Sequence, residues 1–241
     1  MRSGGSARRS RPAKPMKRRA IIVAIDGPAG SGKTTVAKGV AGALGLERLD
    51  TGAMYRALTL KALKERLDPS DARGLAALAR RITFEHDEKG LLVDGRRPSR
   101  AIRSPEVNRS VSEVAAHPAV RKVLVGRQRD IMDRGGFVAE GRDIGTVVAP
   151  AADVKVYLTA SVAERADRRH RELSKAGVQM TKGRLKKDQI RRDRHDSTRA
   201  ASPLTRARDA HVIDSTGRTP ANVVAEVVAL AEEASRGRRR R

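Results

Sequence analysis

The chain has no cysteine and no tryptophan, and its aromatic residues are limited to two tyrosines and two phenylalanines. The absence of cysteine excludes disulfides, thiolate metal sites and cysteine nucleophiles, and it suits a reducing environment such as the cytoplasm. The scarcity of aromatic rings argues against an extended stacking platform for single-stranded nucleic acid. No apolar run approaches the roughly 18 residues that a membrane span needs. We therefore expect a soluble, cytoplasmic protein that makes no membrane contact.

Acidic residues are few relative to basic ones, with 28 Asp and Glu against 52 Lys and Arg. Eight of the basic residues lie in residues 1–19 and five in residues 236–241, and neither stretch contains an acidic residue. We expect both ends to be basic tails, the first disordered, with weak and salt-sensitive attraction to nucleic acid. Residues 1–19 also lack the apolar segment of a signal peptide. The remaining chain is still basic, which would favour capture of a polyphosphate substrate.

The most informative motif is a glycine-rich stretch at residues 27–34, here called the phosphate loop, which directly follows the apolar residues 20–26. It matches GxxxxGK[ST], the signature of a nucleoside-triphosphate site. Small residues let backbone N–H groups surround the β-phosphate, Lys33 reaches the β- and γ-phosphates, and the Thr34 hydroxyl is placed for Mg²⁺. A helix that opens at Thr35 adds a favourable field for the anion. The predicted ATP-binding residues are Gly27, Pro28, Ala29, Gly30, Ser31, Gly32, Lys33, Thr34 and Thr35.

Short apolar segments alternate with longer helical patterns along the chain, which is typical of a parallel sheet covered on both faces. We therefore predict an α/β fold, a P-loop three-layer sandwich with a central parallel five-stranded sheet. The predicted strands are residues 20–26, 46–50, 136–140, 153–159 and 210–214. The predicted helices are residues 33–44, 53–66, 118–134, 161–176, 183–200 and 219–235.

One segment interrupts this alternation and predicts an inserted antiparallel subdomain. Residues 81–96 contain two short apolar stretches around the turn Asp-Glu-Lys-Gly, which predicts a hairpin. Together with helices near 70–80 and 105–116, the hairpin defines a predicted insert at residues 68–118 that orients the second substrate. The predicted folded domain is 20–235, divided into a core (20–67, 119–160 and 200–235), the insert (68–118) and a segment of lid and acceptor-binding helices (161–199).

The motifs that the chain lacks narrow the class of nucleotide-binding protein. There is no GxGxxG, which disfavours a Rossmann dehydrogenase, and no NKxD, which disfavours a GTPase. Three constellations rich in charge follow instead, at residues 50–56, 140–146 and 191–199. The first two follow predicted strands, and parallel sheets bind ligands beyond the carboxyl ends of their strands. We expect both to face the crevice that contains the phosphate loop.

Six motifs occur in a characteristic order: IDGPAGSGKTT, LDTGAMYR, IRSPEV, VSEVAAHPAVR, EGRDIGTVV and RRDRHDSTRAASPL. On these motifs, which span roughly residues 20–234, the chain resembles the bacterial-type cytidylate kinases. The resemblance implies transfer of the ATP γ-phosphoryl group to CMP and dCMP, with Mg²⁺ required. It also implies a nucleoside monophosphate kinase fold with an enlarged CMP-binding insert, a short helical lid and a monomeric state.

The resemblance further assigns residues to the acceptor site. Cytosine offers an amino donor at N4 and acceptors at N3 and O2, which a carboxylate and an arginine can read together. Forked guanidinium groups suit the acceptor phosphate because they bind its oxygens bidentately. The implied positions are Ser112, Arg121 and Asp143 for the base, Arg56, Arg142 and Arg199 for the phosphate, Arg192 and Asp196 near the sugar, and Thr51 and Tyr55 in the pocket wall.

The resemblance also implies roles for residues that bind ATP and Mg²⁺. Arg165 and Arg169, in a basic helical segment, are expected to close over ATP and, with Lys33, Arg142 and Arg199, to act in catalysis. Glu140 is expected to hold Mg²⁺ through its water shell, where Asp is commoner in the family, and Ala29 replaces a serine found in some members.

Two alternative functions stay open on the sequence alone. The first is another small-molecule P-loop kinase, acting on UMP and CMP, on thymidylate or on shikimate, and it differs in acceptor selectivity rather than in chemistry. The second is an RNA- or ribosome-associated protein that binds through its basic tails and uses the phosphate loop as an ATP switch. A test of acceptor-dependent ATP consumption separates these classes.

Overall fold

A five-stranded parallel sheet forms the centre of the fold, in a computed structural model that describes residues 20–175 and 177–239. The predicted tail at residues 1–19 lies outside the described residues. The strand order is β2-β5-β1-β6-β7, and every neighbouring pair is parallel. The strands of the described chain are β1 Ala20–Asp26, β2 Glu47–Asp50, β3 Phe84–Asp87, β4 Gly90–Val93, β5 Gly135–Gly141, β6 Val154–Thr159 and β7 His211–Asp214. β3 and β4 form a separate antiparallel hairpin.

Helices cover both faces of the central sheet. A short 3₁₀ turn at Arg100–Arg103 precedes one of them, α4 (Pro105–Val114), and a π-helical turn at Ile144–Val148 follows strand β5. The α-helices are α1 Lys33–Leu44, α2 Thr51–Lys64, α3 Ala72–Arg81, α4 Pro105–Val114, α5 Pro118–Met132, α6 Val162–Lys175, α7 Lys182–Thr198 and α8 Pro220–Arg239. No helix in this part of the chain is both long enough and apolar enough to cross a membrane.

The buried strand β1 shows how the core divides into two layers. Its side chains alternate between the two faces of the sheet, as the period of a strand requires. Ile22 and Ala24 join a cluster formed with α2, α3, α4 and α5, whereas Val23 and Ile25 join a cluster formed with α1 and α8. The sheet is therefore covered on both faces, which is why β1 is almost continuously apolar.

The β3–β4 hairpin and helices α3 and α4 form the antiparallel part of the fold. The hairpin meets the edge of the main sheet through His86, whose Nε2 lies 3.0 Å from the carbonyl oxygen of Arg48 in β2. Helix α4 packs against α2, and α3 against α5. Val107 and Leu75 contribute to the same buried cluster as the central sheet. This packing fixes α4 and α5 beside the carboxyl ends of the central strands.

The α/β architecture predicted from the sequence is confirmed, including the five parallel strands and the antiparallel pair. Several helix ends differ from the prediction, among them the start of α2 and the end of α8. Helix α2 begins at Thr51 rather than at residue 53, because the Asp50 side chain accepts a hydrogen bond from the Ala53 N–H at 2.9 Å and caps the helix. Helix α8 continues past the predicted end at residue 235 to Arg239, into the segment predicted to be a tail. The division into core, insert and lid segments stays a prediction.

Candidate active site

A cleft of about 820 Å³ opens at the carboxyl ends of β1, β2 and β5. The phosphate loop forms one side of the cleft. The first turn of α2 and residues from α4, α5 and α7 form the other side. A ligand site at this edge of a parallel sheet is the position that the topology favours. The two strand-following constellations predicted to share a crevice, at residues 50–56 and 140–146, both contribute to it.

Glycine determines the path of the phosphate loop. Gly27, Gly30 and Gly32 have φ angles of +149°, +79° and +94°, in the region that L-residues with a Cβ avoid. At Gly27 a Cβ would also lie 2.0 Å from the carbonyl oxygen of Leu158 in β6. The loop can therefore keep this path and its contact with β6 only because these positions are glycine.

Lys33, the first residue of α1, is the buried cation of the loop, with an exposed fraction of 7%. Its ammonium group donates to the carbonyl oxygen of Pro28 at 2.7 Å, so the side chain is folded back over its own loop. Burial, and then the positive charge of Arg142, lower the pKa of Lys33 well below its usual value. An anion bound in the loop would raise the pKa of Lys33 again, because a nearby negative charge stabilises the ammonium form.

Thr34 and Glu140 meet beneath the phosphate loop. The Thr34 hydroxyl donates to Glu140 Oε2 at 2.8 Å, and Arg48 donates to Glu140 Oε1 at 2.7 Å. Burial, and then the negative charge of Asp50, raise the pKa of the Glu140 carboxyl. In the described part of the chain there is no cluster of three or more metal-ligating side chains. One hydroxyl and one nearby carboxylate nevertheless fit Mg²⁺, which takes most of its ligands from water and phosphate.

The predicted base-reading pair is assembled in the structure. Asp143, in the segment between β5 and the π-helical turn, forms a buried ion pair with Arg121 of α5. The Arg121 guanidinium lies over the ring of Tyr55, 5.4 Å from its centroid. Burial raises the pKa of Tyr55 to about 12, so its hydroxyl stays protonated at neutral pH. Ser112, on α4, also lines the cleft.

The predicted phosphate-binding arginines line the cleft together with Arg192, which is predicted to lie near the sugar. Arg56 donates to Asn108 Oδ1 at 2.7 Å, and burial and then the charge of Arg192 lower the pKa of Arg56 to about 9. Burial and then the charge of Arg142 lower the pKa of Arg192 to about 10. Mutual repulsion among cations of this kind is relieved when a phosphate binds between them. The chain therefore holds a positive site opposite the phosphate loop.

Two acidic side chains limit that positive charge. Asp196 of α7 accepts a hydrogen bond from Arg142 Nε at 2.8 Å, and Asp143 Oδ1 lies 4.0 Å from Arg199 Nη2. Arg199 follows the last residue of α7 and donates from Nε to the carbonyl oxygen of Ser202 at 2.8 Å. Each of these arginines keeps further N–H groups, so the carboxylates orient the arginines without using all of their donors.

The Thr51 hydroxyl donates to the carbonyl oxygen of Glu140 at 2.7 Å. This bond ties the start of α2 to the end of β5, so Thr51 joins the two strand-following constellations. The sequence predicts Thr51 as a residue of the acceptor pocket wall. The structure lines the cleft with it and gives its hydroxyl this partner.

The two predicted lid arginines occupy different places on α6. Arg169 lines the cleft and pairs with Glu172, its Nη1 lying 2.6 Å from Glu172 Oε2. Arg165 lies behind the phosphate loop, where it donates to the carbonyl oxygens of Ala160 and Ala29 and pairs with Asp193. These contacts differ from the expectation that Arg165 closes over ATP, because its guanidinium is already engaged with the protein.

The residues that line the cleft and that the sequence reasoning missed include Arg103, Asn108, Gln189 and Ser215. Gln189 could have been found, because it precedes Arg192 by three positions and Asp196 by seven and so shares a helix face with both. The Ser215 hydroxyl donates to the carbonyl oxygen of Thr159 at 2.9 Å. Nothing in its local sequence indicates a site, because β7 brings it to the phosphate loop only through the sheet.

Comparison with known proteins gives one consistent family. Residues 23–233 match the cytidylate kinase family. The chain is 50% identical to the cytidylate kinase of Desulforamulus reducens over 214 residues, which cover 88% of this chain and 96% of the relative. It is 46% identical to the cytidylate kinase of Desulfitobacterium hafniense over 213 residues, covering 87% of this chain and 92% of the relative.

A solved structure of an uncharacterised protein from Eubacterium ventriosum supports the architecture. It aligns with a TM-score of 0.50 and 10% sequence identity, covering 88% of this chain and 98% of that protein. At this level of identity the likeness concerns the fold alone.

Proposed function

The chain belongs to the cytidylate kinase family, and we propose that it phosphorylates CMP and dCMP with ATP and Mg²⁺ by direct transfer of the γ-phosphoryl group. Kinase activity on CMP is the function that the family and its relatives support. The observation that carries the finer proposal is the buried Arg121–Asp143 pair, which lines the same cleft as the phosphate loop. A donor loop and a base-reading pair in one cleft are what a nucleotide kinase needs.

The acceptor base is read at Asp143 and Arg121. The Asp143 carboxylate accepts from the N4 amino group of cytosine, and Arg121 donates to the acceptors at N3 or O2. Uracil has a carbonyl oxygen at C4, which would face the carboxylate as a second acceptor. An unpaired buried acceptor costs about 1–3 kcal/mol, so we expect CMP to be preferred to UMP. Ser112 and Tyr55 complete this part of the pocket.

The acceptor phosphate lies among Arg56, Arg142 and Arg199. Their guanidinium groups hold its oxygens in line with the γ-phosphorus, and positioning of this kind supplies much of the catalysis in phosphoryl transfer. The ribose or deoxyribose contacts Arg192 and Asp196 on α7. Because Asp196 already orients Arg142, the sugar and phosphate contacts are set by the same helix.

The donor is held by the phosphate loop. Lys33 moves its ammonium from the Pro28 carbonyl to the β- and γ-phosphate oxygens and neutralises the charge that develops during transfer. Arg169 closes over ATP from α6, which excludes the water that would compete with CMP as acceptor. Thr34, through its hydroxyl, and Glu140, through water, would hold Mg²⁺. Mg²⁺, when bound, neutralises charge on the phosphate oxygens.

Several finer properties belong to the same proposal. We propose that the enzyme is a cytoplasmic monomer, on the analogy of its fold. The basic ends, residues 1–19 and 236–241, give weak attraction to nucleic acid that disappears in moderate salt. Deletion of residues 1–15 tests this: kinase activity persists, whereas retention on an RNA column falls.

A panel of acceptors tests the proposed reaction. Purified protein is incubated with ATP and Mg²⁺ and separately with CMP, dCMP, UMP, AMP, GMP or dTMP, and formation of ADP and of each diphosphate is measured. We expect CDP and dCDP to form rapidly and UDP slowly. Rapid turnover of CMP without dCMP would remove dCMP from the proposal, and equal turnover of UMP would contradict the base-reading pair.

A further inference from the structure

Arg165, the buried arginine behind the phosphate loop, connects this loop to helix α7. Arg165 Nη1 donates to the carbonyl oxygen of Ala29 at 3.2 Å, and Arg165 Nη2 lies 2.7 Å from Asp193 Oδ2. Its Nε donates to the carbonyl oxygen of Ala160 at 3.0 Å, just before α6 begins. The side chain is only 4% exposed. All three nitrogens of one rigid guanidinium are therefore fixed, each by a different segment.

The side chains of Arg165 and Gln189 fill the space between the phosphate loop and α7. A Cβ at Gly30 would lie 3.1 Å from Arg165 Cβ and 3.4 Å from Gln189 Nε2. A displacement of the loop towards α7 would therefore push against both side chains, since buried packing leaves little room for independent movement.

The face of α7 that meets Arg165 continues into the proposed acceptor site. Asp193 directly follows Arg192, and Asp196 lies three residues further along the helix. Asp196 accepts from Arg142 at 2.8 Å. A small movement of α7 transmitted through Asp193 would thus change the position of the sugar-binding residues and of one phosphate-binding arginine.

We propose that the Arg165–Asp193 pair couples the two substrate sites, so that ATP bound in the phosphate loop raises the affinity for CMP. The inference rests on the proposed function. ATP fixes the loop and with it the Ala29 carbonyl oxygen. Because the guanidinium is planar, fixing one N–H group orients the other donors and hence the carboxylate on α7. Arg165 is a positioning residue in this account, with no contact to either substrate.

Linkage makes the coupling reciprocal and measurable. If ATP raises the affinity for CMP by a certain factor, CMP raises the affinity for ATP by the same factor. Coupling of this kind in proteins amounts to about 5–150-fold. A residue that merely stabilises the fold would alter both affinities or the melting temperature without changing this ratio.

The chain offers a matched control on the same two helices. Lys182 Nζ of α7 lies 2.9 Å from Asp167 Oδ1 of α6, but these side chains are 63% and 45% exposed. This outer pair joins α6 to α7 without a contact to the phosphate loop among the hydrogen bonds of the described residues. Removing the outer pair tests whether any link between α6 and α7 contributes to the coupling between the ATP and CMP sites.

The experiment is calorimetric titration of full-length protein with CMP, in the absence and presence of Mg²⁺ and a saturating non-hydrolysable ATP analogue. The proteins are the unmodified chain, Asp193→Asn, Arg165→Lys and the control Asp167→Asn, each checked by thermal melting. We expect the analogue to raise CMP affinity at least fivefold in the unmodified chain and in Asp167→Asn. In Asp193→Asn and Arg165→Lys we expect less than a twofold effect, with CMP affinity in the absence of the analogue nearly unchanged.

Each contrary outcome has a distinct meaning. Full coupling in either inner variant, equal loss in Asp167→Asn, or no coupling in an unmodified chain that binds both ligands would overturn the inference. If Asp193→Asn does not fold, Arg165→Lys, which keeps the charge, decides. An unmodified chain that does not bind CMP at all would instead contradict the proposed function.

Discussion

The donor side and the acceptor side of the cleft are built in different ways. The donor side depends on backbone: three glycines with positive φ shape the loop, and Gly27 has no room for a Cβ. The acceptor side depends on side chains drawn from α2, α4, α5 and α7, with arginines oriented by Asp143 and Asp196. A backbone site suits the triphosphate that all such kinases share, whereas a side-chain site can be adjusted to one base.

Because the two sides are built differently, we expect substitutions on the donor side and on the acceptor side to have different effects on activity. On the donor side the cation that the loop itself supplies, Lys33, is buried, and its ammonium group donates to a carbonyl oxygen of its own loop. On the acceptor side several arginines line the cleft, and burial, followed by the positive charge of neighbouring arginines, lowers the pKa values of Arg56 and Arg192. We expect donor substitutions to reduce the rate strongly and acceptor substitutions to change selectivity or affinity more modestly.

The largest effect is expected at Lys33. Lys33→Met removes the charge that stabilises the transferred group, and we expect kcat with CMP to fall about 10²–10³-fold. Steady-state kinetics with saturating ATP and CMP measures this. Lys38→Met changes an exposed lysine on the same helix, and its kcat should match that of the unmodified chain. A fall of less than about fivefold in Lys33→Met would contradict its role in transfer.

A change of selectivity is expected at Asp143. Asp143→Asn replaces an acceptor by a group that can also donate, so the ratio of kcat/KM for CMP to that for UMP should fall about tenfold. Parallel measurements with both acceptors give the ratio. Asp130→Asn, at an exposed position of α5, serves as the control. Equal losses on CMP and UMP in Asp143→Asn would show that Asp143 does not read the base.

Glu140 tests the proposed metal site beneath the loop. Glu140→Gln removes a carboxylate that lies 2.8 Å from the Thr34 hydroxyl, and we expect the Mg²⁺ concentration for half-maximal activity to rise about tenfold. A titration of activity with Mg²⁺ at fixed ATP measures it. Glu85→Gln in the exposed part of β3 is the control. An unchanged Mg²⁺ requirement would remove Glu140 from the metal site.

The smallest effect is expected at Arg199. Arg199→Lys keeps the charge but loses the planar fork, so kcat/KM should fall about fivefold, equivalent to about 1 kcal/mol. The fall should be the same for CMP and UMP because the phosphate is common to both. Arg194→Lys, exposed on α7, should have no effect. A fall confined to CMP would place Arg199 at the base rather than at the phosphate.

The parts of this fold that the sequence predicts are those encoded locally. The phosphate loop and the sheet were predictable, because the spacing of glycines and the apolar character of each strand are properties of short segments. The start of α2 at Thr51 was missed by two residues, although Asp50 is a common capping residue. The capping residue in the sequence therefore carries the information that places this helix start.

The parts that escaped prediction depend on contacts between distant segments. Arg165 lies in a basic run whose composition indicates an exposed lid helix, yet the fold turns this one arginine towards Ala29 and Asp193. Its neighbour in the run, Arg169, does line the cleft. The two cannot be told apart by composition, because only the packing of α6 on the loop decides which side faces inward.

The acceptor side is built from side chains that can select one base. The preference of the unmodified enzyme for CMP over UMP tests this account most directly. The measurement is kcat/KM for CMP and for UMP at the same saturating concentration of ATP and Mg²⁺. The account predicts a ratio of at least about ten in favour of CMP, from the cost of placing a uracil carbonyl against Asp143. Equal values for the two acceptors would contradict it and would leave the Arg121–Asp143 pair as a feature of the fold alone.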